Sequence, residues 1–203
     1  MNKYSLLGLI LIIVLVIFIA DLAMTRNLNT CTLKNIFLHN EICTYNNYIY
    51  KNIFQTHLLN INKYKINILE IGAGNGDSTE FFLNLLNKYN INYNYTICEL
   101  DSNYNDILQE KITKCNKYID VKCEYVNNSW TKINRKYDVI LTTVFSSVNE
   151  NNYHIFKNTL CNHDTVIFTI MFIFKLYKIR EFDFKVLFKK RISLFFYALV
   201  LKI

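Results

Sequence analysis

The stretch from Lys65 to Phe82 reads KINILEIGAGNGDSTEFF, and it decides the fold. Ile66, Ile68, Leu69 and Ile71 form an apolar run that stops at Gly72. Glycines at 72, 74 and 76 then lead through Asp77, Ser78 and Thr79 into a helical pattern. The order is strand, glycine-rich turn, helix. A strand apolar on both faces suits a parallel sheet covered by helices, and the turn at its carboxyl end is where such sheets take ligands. Glycine there admits a left-handed backbone and close approach of a ligand, while the first N–H groups of the helix are free to donate.

The spacing separates two ligand classes. A dinucleotide turn, G-x-G-x-x-G, needs a third glycine at position 77, where a pyrophosphate must lie close to the helix. This chain has Asp77 there, and its pattern is Glu70-x-Gly72-x-Gly74-x-Gly76. Carboxylates on either side of the turn oppose a pyrophosphate and favour a ligand carrying an ammonium or sulfonium group. The stretch resembles the first motif of the class I S-adenosylmethionine-dependent methyltransferases, E/D-x-G-x-G-x-G, at all four fixed positions. The resemblance implies S-adenosyl-L-methionine as cofactor and Glu70, Gly72, Gly74 and Gly76 as cofactor-binding residues. A βα turn that binds nothing is the competing reading, and the clustering of three of only four glycines in one turn speaks against it.

Composition bears the mark of A/T-rich codons: no proline, many Asn, Ile and Lys, 15 Tyr and 15 Phe. Aromatic counts and the sequons at Asn94 and Asn127 therefore carry little information. The net charge of +7 is spread along the chain, with one short run at Lys189, Lys190 and Arg191. It leaves nucleic acid open as a partner without indicating it. The six cysteines include no C-x-x-C pair and no histidine at ligand spacing, so neither a metal site nor a dithiol redox site is expected. Cys98 and Cys123 fall in expected strands and read as buried free thiols.

Leu6 to Ala20 carries no polar side chain. A helix from Tyr4 to Met24 would be about 31 Å long, enough for a bilayer core of about 30 Å. Ala20 and Ala23 have the wrong spacing for signal cleavage, so an uncleaved membrane anchor is expected over residues 1–25. Lys3 on one side and Arg26 and Lys34 on the other leave its orientation undecided by charge. Residues 26–60 have helical patterning and form a helical lead-in. Residues 61–203 form the methyltransferase-like domain.

Downstream, a helix is expected over Ser78–Tyr89 and a second strand over Tyr95–Leu100, ending at Glu99. A carboxylate at that place accepts hydrogen bonds from ribose hydroxyls, and it follows Gly76 at about the twenty-residue spacing such an acid has. By resemblance Glu99 binds the ribose, with Asp101 as substitute. Further elements are expected at Asn105–Lys117 (helix), Val121–Val126 (strand), Tyr137–Thr142 (strand), Tyr153–Leu160 (helix) and Thr165–Ile170 (strand). A final hairpin, Phe182–Phe188 and Ile192–Leu201, turns at Lys189–Arg191. The family places a polar residue on the adenine amino group after the third strand. Asn128 stands there, with Trp130 either flanking the base or sitting in the core.

YDVILT, Tyr137 to Thr142, resembles the family's fourth motif, which implies Thr142 near the transferred methyl. It continues as Thr143, Val144 and Phe145 rather than the D/N-P-P-Y/F of nucleobase amino methyltransferases, and no cysteine nucleophile is present for cytosine C5 chemistry. The fold expected is an α/β Rossmann-like seven-stranded sheet, mostly parallel with one antiparallel strand. The resemblance covers residues 45–203. It implies a methyltransferase with no identifiable catalytic residue; the expected anchor makes it membrane-bound, cofactor supply places the domain on the cytosolic side, and tethering favours a protein side chain, lipid or small molecule as acceptor. An inactive methyltransferase-like scaffold and a dinucleotide-dependent oxidoreductase are the alternatives.

Overall fold

The computed structural model describes residue 8 and residues 11–17, 54–61, 63–115, 122–142, 148–172, 176, 179, 181–191 and 196–203. Seven strands form one sheet: β1 Ile66–Ile71, β2 Tyr93–Cys98, β3 Lys122–Val126, β4 Tyr137–Thr142, β5 Cys161–Phe172, β6 Lys185–Arg191 and β7 Phe196–Lys202. Their spatial order is β3-β2-β1-β4-β5-β7-β6. β1 to β5 pair in parallel, and β7 lies antiparallel between β5 and β6. The expected seven-stranded sheet with one reversed strand is therefore present.

Helix α1, Asp77–Lys88, leaves the glycine turn and returns the chain to the start of β2; α2, Asn105–Cys115, does the same between β2 and β3. A short α3, Tyr153–Ile155, runs on into a wide π turn at Phe156–Leu160 where one regular helix was expected. Strand alternation sends Ile66 and Ile68 to one face and Leu69 and Ile71 to the other. The first pair packs with Phe82, Leu86, Leu108 and Ile112 of α1 and α2. The second packs with Trp130, Phe156, Leu160 and Ile167. Burial on both faces is why β1 and β4 are mostly apolar, with Asn67, Glu70, Asp138 and Thr142 as their polar members.

Several boundaries differ from expectation. β2 ends at Cys98 rather than Leu100, because the Glu99 carboxylate accepts the next two backbone N–H groups and turns the chain out of the sheet. β5 starts earlier and runs longer than Thr165–Ile170, with a register shift opposite Tyr137 and Val139. Lys189–Arg191, expected as the hairpin turn, belongs to β6; the turn itself falls in 192–195, outside the described residues. β6 is an edge strand, where lysine is tolerated on an unpaired side.

Most of the expected anchor Tyr4–Met24 and most of the lead-in also lie outside the described residues. Within them, residues 11–17 are helical with exposed apolar side chains, and no helix is long and apolar enough to cross a membrane. The lead-in ends in a π turn, Phe54–Leu58, that buries Leu58 and sets His57 edge-on to Phe188 of β6.

Candidate functional site

The turn after β1 holds Gly72, Gly74 and Gly76 at φ of 73°, 56° and 76°, all left-handed. The two outer glycines are needed for different reasons. A Cβ on Gly72 would meet nothing within 4 Å and would project into open space, whereas one on Gly76 would come to 2.9 Å of Leu108 and Lys111. Gly72 therefore keeps a space clear, and Gly76 lets α1 start against α2. Lys111 of α2 reinforces that contact, donating to the Gly76 carbonyl at 2.9 Å and pairing with Glu80 at 3.0 Å.

Glu99 stands at the end of β2, facing the turn. Its Oε2 accepts the Gly74 N–H at 2.8 Å, and its Oε1 accepts the N–H groups of Leu100 and Asp101. With three amides on four acceptor positions, the carboxylate retains one position on Oε2 for a further donor. Asp101, the substitute acid, caps the short helical turn Ser102–Tyr104 by accepting from the Asn103 N–H.

The end of β3 closes the other side. Asn127 Nδ2 donates to the Glu99 carbonyl and to Tyr125 Oη, which in turn donates to Asn105 Oδ1 at 2.5 Å. Asn128 is exposed, with Oδ1 accepting the Ser129 N–H at 2.8 Å and one acceptor position left. Its carbonyl accepts from the buried Cys98 thiol, whose pKa burial and the neighbouring Glu99 charge push up to about 12. Thr142 is buried at the end of β4, paired with Ile71 and Thr169 in neighbouring strands.

The glycines, Glu99, Asn128 and Thr142 thus collect at the carboxyl ends of β1 to β4. Glu70 does not face that opening. Strand alternation turns its side chain to the α1 face with Ile66 and Ile68, where it is 2% exposed and its Oε2 accepts from Thr79 Oγ1 at 2.6 Å and Tyr95 Oη at 2.9 Å. Burial raises its pKa, opposed by hydrogen bonds from Thr79, Ser78 and Tyr95 and by the Lys111 charge. Glu70 braces the first turn of α1 from behind. Trp130 is a core residue, edge-on to Phe156 at 5.8 Å.

Sequence reasoning did not single out Thr79, Tyr95, Lys111 or Asn127. Tyr95 was findable, since its register beside Ile68 puts it on the Glu70 face. Leu100, 71% exposed directly after Glu99, was findable as an apolar residue adjoining the acid. Lys111 had no signal, because its partners lie across a helix interface. Cys123, expected as a free thiol, is buried but disulfide-bonded. Among the described residues no cluster suited to a metal ion occurs.

No family model matches the chain, and no curated protein matches it in sequence. Solved structures do match in fold. A methyltransferase from Pyrococcus furiosus is 16% identical with a TM-score of 0.54, over 80% of this chain and 84% of that one. TehB from Haemophilus influenzae is 16% identical with a TM-score of 0.53, over 85% and 67%. The tRNA m1G37 methyltransferase of M. jannaschii is 16% identical with a TM-score of 0.52, over 77% and 47%. The chain has the fold of the class I S-adenosylmethionine-dependent methyltransferases, to which many of its structural neighbours belong.

Proposed function

We propose that the protein is a membrane-anchored methyltransferase that uses S-adenosyl-L-methionine. The observation that carries the reading is the space kept clear at Gly72 beside a carboxylate, Glu99, that retains an acceptor position. The residues fit the cofactor: the Gly72–Gly76 turn admits its amino-acid portion, Glu99 accepts from a ribose hydroxyl, Leu100 offers an apolar surface to the base, and Asn128 accepts from the adenine amino group. Bound there, the cofactor would supply an activated methyl on sulfur, with Thr142 the strand-end residue that the resemblance assigns to the methyl.

The protein's part is then alignment and exclusion of water. Glu70, through Thr79 and Tyr95, and Lys111, through Gly76, hold the turn and α1 in place. Glu99 ties β2 to the turn. A general base is not required by this chemistry. The acceptor is a protein side chain, lipid or small molecule, and the anchor is the apolar segment Tyr4–Met24, with the domain in the cytosol where the cofactor is made.

A binding titration comparing S-adenosylhomocysteine with NAD tests the reading. Binding of the first alone supports it; binding of NAD alone favours an oxidoreductase. Cofactor binding without methyl transfer to any extract fraction would favour the inactive scaffold.

A further inference from the structure

The sheet has two chemically different ends. Around the glycine turn stand Glu80, Glu99, Asp101 and Asp106. At the opposite end, where the parallel strands begin, Lys63 and Lys65 precede β1, Lys122 opens β3, and Arg135 and Lys136 precede β4. Register brings these starts side by side, since Ile68 pairs with both Tyr95 and Val139 and Asn94 pairs with Lys122. Across β3-β2-β1-β4 they span about 15 Å.

Three acids lie among these cations, the third being Asp164 of β5, which accepts from Lys202 at 2.7 Å and feels the charge of Lys63. Asp138 is buried and accepts from Lys63 at 2.5 Å; Glu124 binds Arg135 at 2.7 Å and lies 3.9 Å from Lys122. Lys65 and Lys136 meet no carboxylate among the described residues. Tyr64 stands between Lys63 and Lys65, 83% exposed. An aromatic ring left in water inside a ring of cations is the composition of a surface that meets lipid headgroups.

We infer that this end of the sheet docks on an anionic bilayer surface. The inference rests on the anchored half of the proposed function. Lysine and arginine side chains are drawn to an anionic leaflet, and the attraction is screened by salt. Solvated lysines scattered for solubility would not be gathered at adjacent strand starts around one exposed ring. Docking sets the glycine turn about 20 Å from the headgroups, the length of the six-residue β1. The cofactor end then faces solution, which favours a protein side chain or small molecule over a lipid as the acceptor.

The test uses the full chain carrying Tyr64→Trp, reconstituted into vesicles of phosphatidylcholine alone or with about a third phosphatidylserine, each containing brominated lipid. The unsubstituted chain, with buried Trp130 alone, gives the baseline. The introduced indole should be quenched more in the anionic vesicles, and Lys65→Glu with Lys122→Glu should return quenching to the neutral-vesicle level. High salt should do the same. Equal quenching in both vesicles, or quenching untouched by the double substitution, overturns docking. So does RNA binding by the wild type that the double substitution abolishes when no lipid response is seen. Flotation with neutral vesicles and the S-adenosylhomocysteine titration are read on the same samples, so loss of the anchor, of the cofactor site and of docking are told apart.

Discussion

Glu99 at the end of β2 accepts the backbone N–H of Gly74 at 2.8 Å, so the acid of the second strand and the turn after the first are one hydrogen-bonded unit. Truncating Glu99 removes both an acceptor for the ligand and a tie on the turn. Glu99→Ala should weaken S-adenosylhomocysteine binding by about 1.5 to 3 kcal/mol, the scale of hydrogen bonds to a charged group. Glu99→Asp should weaken it less, and Asp101→Ala least. Calorimetry on the three variants decides; a silent Glu99→Ala beside a damaging Asp101→Ala would transfer the role to Asp101.

The glycines should separate by phenotype. Gly72→Ala places a methyl in open space at positive φ, so stability should fall by about 1 to 2 kcal/mol while ligand affinity is largely lost. Gly76→Ala drives a methyl against Leu108 and Lys111 at 2.9 Å and should cost about 2 to 4 kcal/mol of stability. Gly74→Val should abolish binding with the fold retained. Urea denaturation and calorimetry on each variant check the contrast; equal stability losses at 72 and 76 would contradict it.

Glu70 gives a pH signature. Its folded pKa is raised, chiefly by burial, so between its unfolded and folded values the folded chain holds more protons. Stability from this group is therefore greatest in and below the ordinary carboxylate range and is lost as pH rises through the folded value. Glu70→Gln does not titrate, and its carbonyl oxygen can still accept from Thr79 and Tyr95. The variant should gain on the wild type as pH rises toward neutrality, measured as the difference in urea midpoints. A gap that widens toward acid would reverse the assignment.

What was legible in the sequence was what local chemistry dictates. Ile66 to Ile71 and Tyr137 to Thr142 are buried on both faces, so their apolar runs marked β1 and β4 to the residue. The turn was legible because three glycines needing positive φ cannot be replaced by other residues without strain. What failed depended on partners distant in sequence. Leu100 read as strand, but the Glu99 carboxylate turns the chain away. Lys189 to Arg191 read as a turn, but an edge strand accepts them. Glu70 read as a ligand-facing acid, and only the alternation along β1, checked against Tyr95 in β2, sends it behind the turn.

Cys98 and Cys161 should be inert in the native protein. Both are buried thiols with pKa pushed up to about 12, mainly by burial, so almost no thiolate is present at neutral pH. Alkylation followed by mass spectrometry should label neither until denaturant is added. Labelling of native Cys98 at neutral pH would mean that the end of β2 opens, and with it the Glu99 tie.

Topology is tested by the cysteine and sequon chemistry together. Cofactor supply favours a cytosolic domain, which keeps Asn94 and Asn127 unglycosylated. Asn94 is uninformative by itself: it lies within β2, half-buried, donating to Asn67 at 2.8 Å, and a glycan there would break the pairing with β1. Asn127 is exposed and can report. Cys123 is the second reporter, since its disulfide persists in an oxidising compartment and opens in the cytosol. On a cytosolic domain, trapping thiols in intact cells should find Cys123 reduced, Asn127 without glycan and the carboxyl-terminal domain open to protease added to sealed microsomes. A protected domain with Cys123 oxidised and a removable glycan on Asn127 would place it in the lumen, away from the cofactor, and make the non-catalytic scaffold the better reading.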